Sequence, residues 1–362
     1  MNQVLMIVMA AGAVLGGLDR ILGNKLGLGG QFEKGFLLLG PMALSMAGMI
    51  CLAPVLADVL GRVVVPFYQS IGVDPAMFGS LLAIDMGGYQ LAKELAVDPR
   101  IGSYAGIVVS SIFGCTLVFT IPVGMGLIAE DSRPLFAQGM MLGLTAMPVG
   151  LVAGGLLCGL SLPDCLYQNL PIFVLSLLLS LGLWKIPGRM VKGFCLLAEG
   201  IKMIITMGLV LAAVESLTGW NPVPGMAPIG EAMEVVASIG VVMLGSLPVA
   251  ELLRRVLDRP LARLGGRLGL EPQSLTGMLV SLATPLPTLS MYGEMDGRGK
   301  VAAGAFLVSG TSLLAAHMGF VAGTEPELLG ALMAGKLSGA LAAAALAFWV
   351  CRGGTAPGRR GR

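Results

Sequence analysis

Residues 73–82 of the chain read VDPAMFGSLL. A similar segment, LEPQSLTGML, returns at residues 270–279, about half a chain length later. Each copy leads into a hydrophobic stretch and then into a polar turn, VDPR at residues 97–100 and MDGR at residues 295–298. So long a period indicates a duplicated unit rather than a solenoid of short repeats. Duplicated hydrophobic halves with broken segments at matching positions are typical of membrane carriers, which hold their solute between the halves.

The composition places the chain in a membrane. Hydrophobic residues make up 56% of the 362 residues and charged residues only 12%, against ~25% charged residues in soluble domains. The mean hydropathy of +0.87 leaves too little polar surface to face water, and the 54 glycines allow close helix packing in lipid. The six cysteines lack the spacing of a metal site or a disulfide framework. No basic stripe with interleaved aromatic residues points to nucleic acid.

About nine stretches are long and apolar enough to cross a bilayer, at roughly 20 residues each. They are residues 4–22, 36–60, 101–128, 135–160, 170–184, 194–217, 229–253, 301–321 and 328–350. Two further segments are apolar but interrupted, residues 75–96 at DMGG and residues 272–294 at TPLP. We name them the first and the second broken segment. The chain enters its first stretch without a basic leader, so we expect a span there and not a removed signal peptide.

Loop charge orients the spans, because Lys and Arg concentrate on the cytoplasmic side. Five arginines crowd residues 254–267, and four more follow residue 351. Counting back from this basic tail, the second broken segment begins and ends on the cytoplasmic side and the first on the outer side. Both are therefore predicted to be re-entrant hairpins in an all-α polytopic protein with an inverted-topology repeat. The predicted parts are one membrane domain at residues 1–352, with repeat halves at residues 1–160 and 194–352 joined by a helix at residues 168–184, and a tail at residues 353–362.

Five short runs resemble one known family, the ethanolamine-utilisation permeases. They are GGQFE at residues 29–33, LAPVLA at 52–57, DMGGYQLAKEL at 85–95, MDGRGKV at 295–301 and HMGF at 317–320. The resemblance implies a carrier that moves ethanolamine across the bacterial inner membrane, with no cofactor and no catalytic or metal site. Two positions depart from the family's pattern: Thr284-Pro285 stands where members carry two consecutive Asn, and Ala316 stands where they carry an acidic residue. Both changes remove polar groups from the expected solute path.

Ethanolamine at neutral pH is a small ammonium with a hydroxyl group. Its site needs a carboxylate or carbonyl oxygens, an aromatic face, and a polar partner for the hydroxyl. Asp85 offers a carboxylate at the break of the first broken segment, where an ionisable residue at membrane depth is a functional candidate. Its alternative role is to cap the half-helix that follows, and the two roles can coexist. The candidate substrate-binding residues are Asp85, Gly87, Gly88, Tyr89, Gln90, Thr116, Thr284, Pro287 and His317.

His317 is the only histidine of the chain and lies deep in a predicted span. Its unperturbed pKa of about 6.5 suits a proton-linked step, but a lone histidine in an apolar helix is also commonly a neutral, hydrogen-bonded core residue. Five hydroxyls near it or across the repeat either line the solute path or bond to their own helices: Ser111, Thr116, Ser309, Thr311 and Ser312.

Other charged residues in or near the spans have structural roles as their favoured interpretation. The expected pairings are Lys93 with Glu94 at the interface, Glu199 with Lys202 inside the bundle, and Asp98-Arg100 and Asp296-Arg298 as pins between the broken segments and the helices that follow.

Enzymatic function has little support, because one histidine without a His-Glu-x-x-His pattern or a cysteine cluster offers no metal or nucleophile site. The phosphate-cradling loop of a nucleotide-driven pump is absent from the sequence. The remaining alternatives are an ion-coupled carrier of another small polar solute, and a structural or assembly membrane protein. The broken segments argue against the latter, since unwound backbone at membrane depth is tolerated where it lines a cavity or is buried in protein. The expected partners are a small cation and the bilayer, without nucleic acid; a homo-oligomer is left open.

Overall fold

The computed structural model describes residues 2–82, 86, 88–268 and 270–351, and every regular element in these ranges is helical. The predicted all-α class is confirmed. A helix in a bilayer pairs its own backbone N–H and C=O groups, which explains why this apolar chain forms helices. The helices are α1 (Asn2–Ile21), α2 (Leu28–Leu37), α3 (Leu39–Ser70), α4 (Ala76–Gly79), α5 (Gly88–Leu95), α6 (Pro99–Tyr104), α7 (Ile121–Leu127), α8 (Arg133–Leu157), α9 (Leu162–Gln168), α10 (Leu170–Lys185), α11 (Pro187–Thr218), α12 (Ile229–Leu268), α13 (Pro272–Ser281), α14 (Pro285–Ser290), α15 (Gly297–Gly310), α16 (Met318–Thr324) and α17 (Leu329–Cys351).

Eight helical runs in the described ranges are long and apolar enough to cross a membrane. A ninth crossing is counted if α9 and α10, which meet at an angle of 51°, form one bent span. The predicted stretches 101–128 and 301–321 correspond to the runs Pro99–Leu127 and Gly297–Thr324. The prediction of about nine crossings is therefore reached only with the bent pair, which contains the predicted stretch 170–184. The inverted repeat and the re-entrant hairpins stay predictions.

Helices α8, α15 and α17 meet through glycines in the core. A Cβ added to Gly150 of α8 would lie 2.5 Å from the carbonyl oxygen of Gly335 in α17, and one added to Gly139 would lie 2.5 Å from that of Val301 in α15. Lipid gives helices no hydrophobic reason to associate, so close backbone contact provides the packing energy. A larger side chain at these positions would force the helices apart.

Helices α3 and α12, which precede the two broken segments, each pack on another long helix through a glycine. A Cβ added to Gly48 of α3 would overlap the carbonyl oxygen of Ile205 in α11. In the same way, a Cβ added to Gly245 of α12 would overlap the carbonyl oxygen of Met9 in α1. The element before each broken segment is thus anchored by the same kind of contact.

The two ends of each broken segment lie next to each other. In the first, the carboxylate of Asp74 accepts hydrogen bonds from the backbone N–H groups of Val97, at 3.1 Å, and Asp98, at 2.9 Å. In the second, the carboxylate of Asp296 accepts from the backbone N–H of Glu271 at 3.2 Å. Each segment therefore returns to the place where it began.

Asp98 and Asp296 also start the helices that follow. Asp98 accepts from the backbone N–H of Arg100 at 2.8 Å, and Asp296 accepts from that of Gly299 at 3.0 Å. The predicted pinning role is confirmed for Asp296. In the first broken segment Asp74 makes that connection instead, because the carboxylate of Asp98 is occupied by Arg100, including its guanidinium at 2.8 Å.

The run Gly297–Thr324 is interrupted midway, where the sequence predicts an unbroken span. After α15 ends, Ser312 has a φ of 58°, in the left-handed region that non-glycine residues seldom adopt. Its N–H donates to the carbonyl oxygen of Ser281 at 2.8 Å, and the N–H of Leu314 donates to that of Leu282 at 2.7 Å. The end of α13 thus replaces the helical bonds lost at the break. A π-helical segment, Leu313–His317, leads on to α16.

Candidate functional site

A cavity of about 350 Å³ lies between the second broken segment and helices α2 and α12. Thr284 and Pro287, two of the predicted site residues, line it from the break of that segment. Leu314 and Ala315 line it from the π-helical segment. Because Leu314 is bonded to Leu282, the cavity reaches the interruption of the membrane span.

The polar border of this cavity carries more positive than negative charge. It is formed by Gln31, Lys34, Glu251 and Arg254. The carboxylate of Glu251 accepts from the guanidinium groups of Arg254 at 2.8 Å and Arg255 at 2.7 Å. The charge of Glu251 is therefore already matched, and a cation in this cavity would have to rely on carbonyl and hydroxyl oxygens.

Next to the break lies a group of fully buried polar side chains, which we name the central cluster: Ser111, Thr116, Ser309, Thr311, His317 and Lys336. The hydroxyl of Thr116 donates to the carbonyl oxygens of Ile112 at 2.7 Å and Val308 at 2.9 Å. It thereby joins the π-helical part of the run Pro99–Leu127 to α15. The predicted site residues Thr116 and His317 both belong to this cluster.

Several polar atoms of the central cluster have no hydrogen-bond partner among the described residues. They are both ring nitrogens of His317 and the hydroxyls of Ser309 and Thr311. An unpaired buried polar atom costs roughly 1–3 kcal/mol, so a native structure retains it only for a reason. The described residues therefore do not support the alternative in which His317 is a hydrogen-bonded core residue. Its ring nitrogens and the two unpaired hydroxyls are suited to bind a polar solute.

Lys336 is the central-cluster residue that the sequence analysis missed. Its ammonium is fully buried and donates to the backbone carbonyl of Ser111 at 2.7 Å. The signal was present, because Lys336 is the only charged residue in the predicted span 328–350. An ionisable side chain at membrane depth is costly and is a functional candidate by default.

The described residues of the first broken segment border only a small gap. Asp85 and Gly87 lie outside the described residues, while Gly88, Tyr89 and Gln90 begin α5. The gap beside Tyr89 and Gln90 measures about 20 Å³, room for about one water molecule. The described site residues of this segment therefore face a packed region.

Tyr89 belongs to a second polar group, which we name the Glu325 cluster: Tyr89, Lys93, Ser103 and Glu325. The carboxylate of Glu325 accepts from the Tyr89 hydroxyl at 2.7 Å, the Lys93 ammonium at 2.5 Å and the Ser103 hydroxyl at 3.0 Å. Burial acts to raise the pKa of Glu325, but the hydrogen bonds from Lys93, Tyr89 and Ser103 outweigh it and hold that pKa below its ordinary value. Glu325 is thus ionised at neutral pH and ties α5 to the loop after α16.

Two expected pairings do not form among the described residues. Lys93 binds Glu325 and not Glu94, which stays exposed, because consecutive residues of a helix do not face each other. Glu199 and Lys202 form no ion pair in the part of the chain that the structure describes. Both are exposed on α11, which buries little of its surface.

Comparison with known proteins confirms the resemblance seen in the sequence. Residues 1–350 match the family model of the ethanolamine utilisation protein EutH. The chain is 41% identical over 351 residues to a Listeria monocytogenes protein named probable ethanolamine permease EutH, covering 96% of this chain and 94% of the relative. It is 38% identical over 385 residues to the Escherichia coli protein of the same name, with 96% and 94% covered. A Bacillus subtilis relative, the uncharacterised protein YxeR, is 39% identical over 351 residues, with 96% and 95% covered. No solved structure matches the chain. The chain therefore belongs to the EutH family of ethanolamine utilisation proteins and is a multi-pass protein of the bacterial inner membrane.

Proposed function

We propose that this chain carries ethanolamine across the bacterial inner membrane, with the cavity as the cytoplasmic entrance to the solute path. The permease names of the relatives support transport and suggest the solute. The observation that carries the proposal is a cavity that ends at a break in a membrane span. Unwound backbone at membrane depth presents free carbonyl oxygens and helix ends, which carriers use to hold small polar solutes and ions.

We also propose that the two halves are inverted repeats and that both broken segments are re-entrant hairpins. Matched contacts support this: a carboxylate, Asp74 or Asp296, joins the ends of each broken segment, and a glycine anchors the helix before each. π-helical turns also interrupt the run after each broken segment. Matching distortions at matching positions are what a duplicated carrier fold produces.

Contacts between loops are consistent with opposite faces for the two broken segments. Near the first, the backbone N–H of Asp74 donates at 2.7 Å to the side chain of Gln168. Gln168 ends α9, in a connection that charge counting places outside. Near the second, the ammonium of Lys300 donates to the hydroxyl of Ser132 at 2.8 Å, from a loop placed in the cytoplasm. None of these contacts joins a loop of one predicted face to a loop of the other.

In this proposal the site residues have different tasks. Thr284 and Pro287 border the entrance, and Thr116 and His317 lie further along the path. The ammonium of the solute would bind backbone carbonyl oxygens together with the carboxylate of Asp85, and its alcohol would bind the unpaired atoms of His317 or Ser309. Tyr89 closes the outer side through the Glu325 cluster. The remaining candidates, Asp85, Gly87, Gly88 and Gln90, would form the outer hairpin's share of the site.

Uptake of labelled ethanolamine into proteoliposomes tests the proposal directly. The purified chain should give saturable uptake that unlabelled ethanolamine suppresses and that protein-free vesicles lack. Repeating the assay with imposed sodium or proton gradients separates passive from coupled movement. If correctly folded protein takes up ethanolamine no faster than protein-free vesicles do, the proposal is contradicted. The chain would then be a carrier of another small polar solute or a structural membrane protein.

A further inference from the structure

Lys336 occupies an unusual position for a lysine. It lies about a third of the way along α17, and its side chain is fully buried. Burying an ammonium in a membrane protein is costly unless it is paired. Within the described residues, no carboxylate forms an ion pair with it. The residue therefore needs an explanation that packing alone does not give.

The ammonium of Lys336 is held as a small free cation would be held. Its hydrogen bond runs to the backbone carbonyl oxygen of Ser111, at 2.7 Å. Ser111 lies within the π-helical segment Ala105–Gly114, where the regular helical bonding pattern is shifted. A neutral carbonyl holds a cation less strongly than a carboxylate does, so this contact is easier to exchange than an ion pair.

Unpaired polar atoms lie around the same position. The hydroxyl of Ser309 packs against Gly339, one turn along α17 from Lys336, and it has no hydrogen-bond partner among the described residues. His317 belongs to the π-helical segment Leu313–His317, which contacts α17, and both of its ring nitrogens lack a partner among the described residues as well. A cation subsite with free hydrogen-bonding groups beside it matches a solute that carries both an ammonium and a hydroxyl.

We propose that the carbonyl of Ser111 is an ammonium subsite on the solute path and that Lys336 is a tethered competitor, which fills this subsite when no solute is bound. The inference rests on the proposed transport of ethanolamine. The end of a lysine side chain and one end of ethanolamine are the same group, a primary ammonium on a methylene carbon. The solute's ammonium displaces that of Lys336, and Lys336 returns when the solute leaves.

The competition has a measurable consequence for affinity. If Lys336 fills the subsite nine-tenths of the time, the apparent affinity for solute is reduced about tenfold, since only the free fraction binds. Lys336→Met removes the ammonium and keeps an unbranched apolar side chain. In equilibrium binding of labelled ethanolamine to the purified full chain, this variant should bind at least about tenfold more tightly than the wild type.

Transport gives a second readout. After releasing its solute, the carrier must return empty to the outer side. In Lys336→Met the cation subsite would stay vacant during this return, so we expect the return to fail and net uptake into empty vesicles to be lost. Exchange of internal for external ethanolamine should persist, because during exchange the carrier binds solute on the inward and on the outward movement. Lys300→Met is the matched control, because this lysine binds the hydroxyl of Ser132 and is not part of the central cluster. Its affinity for ethanolamine and its net uptake should stay at wild-type values.

Lys336→Gln guards against a folding defect in the methionine variant, because its amide can still donate to the Ser111 carbonyl without a charge. It too should bind ethanolamine more tightly than the wild type. Wild-type binding together with unchanged or weaker binding by the correctly folded variants would overturn the inference and leave the proposed function standing. A wild-type chain that neither binds nor transports ethanolamine would instead overturn the proposed function.

Discussion

The two broken segments begin with similar sequences but lie in different surroundings. Beside the second is a cavity of about 350 Å³, whereas the gap beside the first measures about 20 Å³. The cavity beside the second broken segment is bordered by charged side chains of α2 and α12, with open space between these helices and the segment. In the first, the ring of Tyr89 packs edge-on against Phe320, with ring centres 5.1 Å apart, and its hydroxyl binds Glu325. A carrier with alternating access needs such a difference, because its solute path opens to one side at a time.

In the proposed carrier, a few groups would hold the outer side closed. Each hydrogen bond to the charged carboxylate of Glu325 contributes at most about 1.5–3 kcal/mol. The side chain of Lys93 is 33% exposed, so solvent reduces its share. The three bonds together contribute at most about 5–9 kcal/mol before this screening, which the binding of a solute can offset. If the chain works as proposed, this small, local set of contacts would determine which side is open.

Filling the open cavity should have the largest effect. Thr284→Trp places an indole in the space between the second broken segment and α12, so ethanolamine uptake should fall to the level of protein-free vesicles. Val97→Trp is the matched control, because Val97 is 65% exposed at the end of the first broken segment. Folding is checked by gel filtration. Undiminished uptake by Thr284→Trp would mean that the solute does not pass through the cavity.

Removing the charge of Asp85 should have the next largest effect. Asp85→Asn keeps the size and much of the capping ability of the side chain but loses a charge-assisted contact to the ammonium, worth ~1.5–3 kcal/mol. The apparent affinity for ethanolamine should fall by about ten- to hundredfold. Binding and uptake assays on the purified variant measure this loss of affinity. If the affinity is unaltered, carbonyl oxygens alone hold the cation.

Weakening the closed side should have the smallest effect. Glu325→Gln removes the charge that holds Lys93, and a loss of about 1 kcal/mol would raise the open population about fivefold. The readout is the labelling rate of Thr324→Cys, beside the small gap, by an impermeant maleimide added outside. Val97→Cys is exposed already and should label at the same rate in both backgrounds. A Thr324→Cys rate that Glu325→Gln leaves unchanged would show that other contacts close this side.

The pH dependence of the same labelling follows from the lowered pKa of Glu325. The stabilisation by its carboxylate is present above the unfolded-state pKa of about 4.3 and is lost as the pH falls through the lower folded-state pKa. Maleimide reacts with the thiolate, whose fraction falls with pH at any cysteine, so labelling of Thr324→Cys is taken relative to that of Val97→Cys at each pH. This ratio should rise only when the outside pH is brought below the unfolded-state pKa. With Glu325→Gln the rise should disappear, and a rise that persists would assign it to another group.

The helices and the broken segments were predictable because their signals are local. An apolar run of sufficient length predicts a span, and DMGG or TPLP interrupts one. The break at Ser312 was not predictable, since bonds from Ser281 and Leu282 on another segment compensate it. The contact of Tyr89 with Glu325 joins residues 236 positions apart. Such pairs depend on how distant segments pack, which the local pattern does not contain.

Sided labelling shows whether the two broken segments enter the membrane from opposite faces, as the inverted arrangement requires. Val97→Cys and Gln273→Cys place an exposed thiol at one end of each segment, in a background without the six native cysteines. An impermeant maleimide should label Val97→Cys only in right-side-out vesicles and Gln273→Cys only in inside-out vesicles. Labelling of both thiols from the same side would contradict the inverted arrangement.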